Sequence, residues 1–173
     1  MANKVFIATS LDGYIADKNG SLDWLPHPEG DDLGFDDFLN SIDALVMGRN
    51  TFETVVGFGG DWFYTKKVFV VSNTLTTIPD KLKDKVELIK GTPEEILEIT
   101  KQQGYKNLYI DGGKTIQCFL QENLIDEIII TTIPILLGGG SPLFGLLENN
   151  ITLEHKSTKV IKGLVQSHYI KKI

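Results

Sequence analysis

Residues 45–55 read LVMGRNTFETV: an apolar run, a glycine, the single arginine of the chain, and the opening of a helix. A strand that closes on glycine and is followed at once by a helix is the repeating unit of an α/β sheet. The pattern returns at 107–120, NLYIDGGKTIQCFL. Further short runs rich in β-branched residues lie at 4–9 (KVFIAT), 67–72 (KVFVVS), 86–90 (VELIK) and 127–136 (EIIITTIPIL). Strands that are apolar throughout suit a parallel sheet covered on both faces.

Helices are predicted between these runs. Residues 36–42 carry Phe38, Leu39 and Ile42 on one stripe. Residues 92–104 open with Thr92, Pro93 and two glutamates and close at Gly104, a helix start and stop in the expected order. Residues 114–123 place Ile116, Phe119 and Leu120 on one face. The tail from Ile151 alternates and reads as an antiparallel hairpin closing the sheet. With no internal repeat or linker, the reading is one domain over 1–173.

The composition is that of an ordinary soluble protein, 42% hydrophobic and 23% charged. A net charge of −6 argues against nucleic acid as the main partner, because a phosphate backbone rewards a basic surface. Cys118 is the only cysteine, so no intrachain disulfide can form. The amino terminus lacks the apolar core of a signal peptide, and EIIITTIPILL is too short to span a bilayer. A cytoplasmic protein with no membrane partner is expected.

The glycine turns carry the candidate chemistry. Asn50 is expected to cap the helix that follows Gly48, with Glu53 completing a capping box. Arg49 then stands beside a helix N-terminus, where backbone N–H groups and the dipole favour an anion. A surface turn with an ordinary ion pair is the equal alternative. The DGGKT turn ends like a P-loop, but the required glycine would be at position 108, which is Leu. What remains is a strand, Gly112 and Gly113, and a helix opening with Lys114 and Thr115, a layout that admits phosphates close to the backbone; a tight turn in which glycine merely supplies unusual dihedrals is at least the equal alternative. No G-x-G-x-x-G is present, since position 143 in LLGGGSPLFG is Leu.

Other residues read as structural. His27, His155 and His168 lack metal-ligand spacing, and no metal site is expected. Ser10 and Ser72 have no triad partners in view. Cys118 reads as half-buried filler beside its helix stripe. Asp31, Asp32, Asp36 and Asp37 read as a solvated helix start matched to the dipole, with one member pointing into a cleft as the alternative.

Taken in order, SLDGYIA (10–16), MGRNTFE (47–53), VFVVSN (68–73) and YIDGGKT…LIDEIIITTIPILLGGGSPLF (109–144) resemble the dihydrofolate reductase superfamily. More narrowly they resemble the C-terminal reductase domain of the bifunctional riboflavin-biosynthesis deaminase/reductase, from about Lys4 to Phe144. The resemblance implies a three-layer α/β/α fold with a mostly parallel sheet, a hydride taken from NADPH, a small heterocyclic substrate, and a homodimer.

Residue by residue, it implies that Gly48, Arg49 and Thr51 meet the 2′-phosphate or pyrophosphate, and that Ser72 and Asn73 meet the adenosine. Gly112 and Gly113, joined through an unusual backbone, would face the pyrophosphate with Lys114, Thr115 and Ile116. Ala8 and Ile15 would touch the nicotinamide carboxamide, and Trp24 would lie near cofactor and substrate. Asp111 is the first candidate for a substrate-facing carboxylate and Asp12 the second. A strict dihydrofolate reductase and a non-catalytic NADPH-binding protein are the competing readings.

Overall fold

Each of the six apolar runs is a strand of one sheet in the computed structural model, which describes residues 1–26 and 32–172. The elements before the fourth sheet strand are β1 (Ala2–Ser10), β2 (Tyr14–Ala16), α1 (Phe35–Asn40), β3 (Ala44–Gly48), α2 (Arg49–Gly57) and β4 (Lys67–Val71). Then come β5 (Val86–Ile89), α3 (Pro93–Gln102), β6 (Asn107–Asp111), α4 (Gly113–Gln121) and β7 (Glu127–Ile133). β8 (Ser141–Pro142), β9 (Leu153–Ile161) and β10 (Leu164–Lys171) complete the set.

The main sheet runs β5-β4-β3-β6-β1-β7-β10-β9, parallel from β5 to β7 and antiparallel from there to the edge. The closing hairpin turns at Lys162 and Gly163, both with positive φ (50° and 83°), as a two-residue hairpin loop demands. β2 and β8 form a separate ribbon.

Burial explains the continuous apolar strands: Ala44, Leu45, Val46 and Met47 of β3 are all fully buried. On one face Phe38 of α1 and Phe52 of α2 pack against Leu45, Met47, Val68, Val70 and Tyr109. On the other, Ile96 and Leu97 of α3 and Ile116, Phe119 and Leu120 of α4 pack against Val5, Val46, Phe69, Leu108 and Ile110. The result is the expected three-layer α/β/α arrangement, closed by the expected hairpin.

Local expectations divide. α3 has its full capping box: the Thr92 hydroxyl accepts from Glu95 N at 3.3 Å, and Thr92 N donates to the Glu95 carboxylate at 2.8 Å. Asn50 is not a cap. α2 begins one residue earlier, at Arg49, with extended Gly48 as its N-cap and no capping side chain. Cys118 is exposed rather than half-buried, because it points about 200° around the helix from Ile116, away from the stripe. His155 and His168 lie on the hairpin, against Thr158 and Glu127. His27 and Asp31 lie outside the described residues. Among the described residues, no helix is long and apolar enough to cross a membrane.

Candidate functional site

The strand order creates a crevice. α2 carries the chain from β3 outward to β4, whereas α4 carries it from β6 in the opposite direction, across β1 to β7. Open α/β sheets bind ligands where such connections diverge, outside the carboxyl ends of the strands. Here that point falls between β3 and β6, where the two glycine turns lie.

The turns interlock. A Cβ built on Gly48 would stand 2.9 Å from the Thr115 hydroxyl of α4, and one on Gly112 would overlap the Thr51 hydroxyl of α2. Each helix therefore presents a threonine to the glycine that precedes the other helix. Neither Gly48 nor Gly112 supplies a capping side chain. The N-terminal N–H groups of two adjacent helices consequently open on one crevice without side-chain caps, an arrangement suited to a pyrophosphate.

All described peptide bonds are trans, so the unusual backbone expected at Gly112–Gly113 is the φ of +89° at Gly112. Gly113 lies under Ile15, whose Cδ1 is 2.9 Å from a built Cβ. Lys114 is exposed at the mouth. Ile116 is fully buried and its N–H donates to Gly112 O at 2.9 Å, so it supports the turn from the core rather than facing a ligand.

Arg49 sits at the outer end of the crevice. Its Nε donates to Glu53 at 3.0 Å and its Nη1 to the Thr74 hydroxyl at 2.8 Å. Thr74 follows directly on Ser72 and Asn73. The buried Ser72 hydroxyl accepts from Thr74 N at 3.2 Å and Leu75 N at 2.9 Å, fixing that turn and leaving Asn73 exposed at its tip. The arginine and the turn expected to meet adenosine are thus brought together. Thr74 carried no signal of its own beyond adjacency to Ser72.

At the inner end the sheet parts. β1 and β6 pair from Ala2↔Asn107 to Lys4↔Tyr109 and no further, while β1 continues along β7 as far as Ser10. The Tyr109 hydroxyl bridges the opening, donating to Phe6 O at 2.9 Å. Ala8, half-buried, and Asp111 border this slot at the carboxyl ends of the two strands. Burial pushes the Asp111 carboxyl up to about 6, and the Gly112 N–H, donating at 2.8 Å, and the Tyr109 hydroxyl do not offset it. Tyr64, also buried, is held up by its own burial and by the Asp111 charge. Among the described residues no cation offsets the rise at Asp111.

Tyr109 and Tyr64 were not singled out from the sequence. Tyr109 could have been, since a strand residue two before Asp111 shares its face.

Asp12 has a different environment. Its carboxylate accepts from the Ser10 hydroxyl at 2.6 Å, Leu137 N at 3.1 Å and Gly138 N at 2.8 Å. These bonds, the Ser10 hydroxyl first, hold its pKa below the ordinary value. The group clasps the β1–β2 turn to the glycine-rich loop before β8. Trp24 donates to Ser21 O at 3.2 Å, a contact within its own turn. A cavity of about 340 Å³ near Gln121, Asn150, Thr152 and Lys171 lies beyond the end of α4 and does not include the residues of this crevice.

A crevice of this kind, on a sheet closed by a C-terminal hairpin, defines an α/β protein of the dihydrofolate reductase type. A dihydrofolate reductase from Enterococcus faecalis complexed with NADP(H) superposes with a TM-score of 0.67 over 99% of this chain and 97% of its own, at 19% identity. The chain belongs to the RibD C-terminal domain family, whose sequence model matches residues 4–166. This is the reductase family of riboflavin biosynthesis. A crystal structure from Shewanella sp. PV-4, assigned by name to riboflavin biosynthesis, is 52% identical over the whole of both chains, with a TM-score of 0.95. The uncharacterized protein YwjB of Bacillus subtilis (strain 168) is 39% identical over 170 residues, 96% of each chain.

Proposed function

We propose that the chain is a cytoplasmic NADPH-dependent reductase acting on a small heterocyclic substrate, similar to the 5-amino-6-(5-phosphoribosylamino)uracil reductase of riboflavin biosynthesis. The observation that carries this reading is the interlocked pair of uncapped helix N-termini, with the only arginine at one end and a parted sheet at the other. The residues fit the cofactor: Gly48 and Gly112 let the two turns pack against Thr115 and Thr51, which brings two helix N-termini without side-chain caps to the same crevice. NADPH would supply the hydride.

The protein's own part is orientation and proton handling. Gly48, Thr51, Gly112, Gly113, Lys114 and Thr115 hold phosphate, and Arg49 with Ser72 and Asn73 holds the adenosine end. Ala8 and Ile15 border the place for the nicotinamide. Asp111 is the residue at the slot able to exchange a proton near neutral pH, so it is assigned to orient a substrate N–H or O–H and to deliver a proton as hydride arrives. Asp12 supports the surrounding loop. The reading extends to a homodimer, supported by exposed Val160 and Val165, which pair across the hairpin, and by Leu146, which is 91% exposed. Light scattering that gave a single-subunit mass at assay concentration would remove the dimer.

The first test is a titration with NADPH and then NADH, read by nicotinamide fluorescence or calorimetry. Tight binding that favours NADPH is expected, and failure of both to bind would overturn the assignment. Arg49→Ala should weaken NADPH by about 1.5–3 kcal/mol, the range for charge-assisted hydrogen bonds, and weaken NADH far less.

A further inference from the structure

We infer that Glu53 sets the balance between the phosphorylated and unphosphorylated nicotinamide cofactors, by sharing the Arg49 guanidinium that a 2′-phosphate would otherwise hold alone. The inference rests on the cofactor reading above. It adds a residue whose effect opposes that of the arginine.

Arginine offers five N–H donors in a planar fork. Here Nε is taken by Glu53 and one Nη1 hydrogen by Thr74. The remaining three donors, on Nη1 and Nη2, have no partner among the described residues. The guanidinium is held from two sides, by the first turns of α2 and by the turn that Ser72 fixes. Its Nη edge is therefore preset for an anion before any ligand arrives.

The same geometry places a full negative charge one hydrogen bond from that edge. Both side chains are about half exposed, at 44% and 48%. A pair so exposed contributes little to folding, so the position of Glu53 matters chiefly to what binds beside it. A 2′-phosphate carries close to two negative charges; Arg49 attracts it and Glu53 repels it. A ribose 2′-hydroxyl behaves differently, because it can donate to the second carboxylate oxygen, as in sites that read NAD through an acidic residue. Arg49 accordingly favours NADPH, Glu53 favours NADH, and the pair gives a narrower preference than the arginine alone would.

Glu53→Gln is the test, because glutamine keeps an oxygen for Nε while removing the charge. Fluorescence titrations of both cofactors on the wild type and variant should show NADPH binding about fivefold more tightly in the variant and NADH unchanged or weaker. The gain should shrink between low salt and about 0.3 M salt, as expected for a screened interaction between exposed charges. An unchanged NADPH-to-NADH ratio, with wild-type melting behaviour, would overturn the inference. So would an equal change for both cofactors, which would place Arg49 at the pyrophosphate they share. If the wild type binds neither cofactor, the cofactor reading falls first and the inference with it.

Discussion

Asp111→Asn should lower turnover by about two orders of magnitude or more, the scale of a lost general acid, and should also raise the melting temperature at neutral pH. The two effects have one cause. The carboxyl is half-buried at the sheet opening, with no cation among the described residues to balance it, and desolvation raises its pKa from 3.8 to about 6. A carboxyl raised in the folded state favours folding only while it is protonated. Its contribution is complete below about pH 4, declines as the pH climbs toward 6, and is gone above that. A tenfold change in an equilibrium is about 1.4 kcal/mol, so the ionised group costs the folded protein about 3 kcal/mol at neutral pH, as an upper figure.

Asparagine removes that cost and can satisfy the same neighbours. Its carbonyl accepts from Gly112 N, and its amide can donate to the Tyr109 oxygen, whose own proton goes to Phe6 O. Calorimetry at pH 5 and pH 8 should show the wild type losing stability relative to the variant as pH rises. Turnover of the wild type should fall above about pH 6 if Asp111 delivers the proton. Wild-type turnover in the variant would remove Asp111 from the chemistry. Equal melting temperatures at pH 8 would mean that the carboxyl is better solvated than its position between β1 and β6 implies.

The framework of this site was legible because its signals are local. Unbroken apolar runs specify strands covered on both faces, and glycine at the end of a run specifies a turn into a helix. The Thr92–Pro93–Glu95 pattern specifies one helix start almost atom by atom. What could not be read was adjacency. Gly48 and Gly112 meet because β6 inserts between β3 and β1, and nothing in either turn encodes the strand order.

The Asn50 cap failed for an informative reason. The extended backbone of Gly48 lets the helix begin at Arg49, so the capping signal is overridden and the end is left without a capping side chain. Tyr64 comes from the irregular stretch between α2 and β4, where no periodicity indicates which way a side chain faces. Asp12 could be read as a turn residue next to Ser10, but not as the clasp of a loop 125 residues further on.

Gly112→Ala tests whether this interlock is a structural necessity. At φ 89° and ψ 135° the backbone occupies a region that residues with a side chain avoid, at a cost of about 1–3 kcal/mol. The new methyl group would also overlap the Thr51 hydroxyl, which the first turns of α2 hold in place, adding about 1–3 kcal/mol for overpacking. Together these predict a loss of about 2–6 kcal/mol, which in a domain of this size lowers the melting temperature by about 5–25 °C.

Gly104→Ala is the matched control. Its φ is +91°, yet nothing lies within 4 Å of a built Cβ, so only the backbone term of about 1–3 kcal/mol should appear. Adding Thr51→Ala to Gly112→Ala should recover the overpacking part and leave the backbone part, a coupling visible in a double-mutant cycle. Nucleotide binding should be weakened in Gly112→Ala and remain so in the double variant, where the methyl group persists beside the two helix N-termini and the Thr51 hydroxyl assigned to the phosphates is also gone. Recovery of binding along with stability would instead mean that Gly112 serves the packing of α2 on α4 and that the phosphates lie elsewhere.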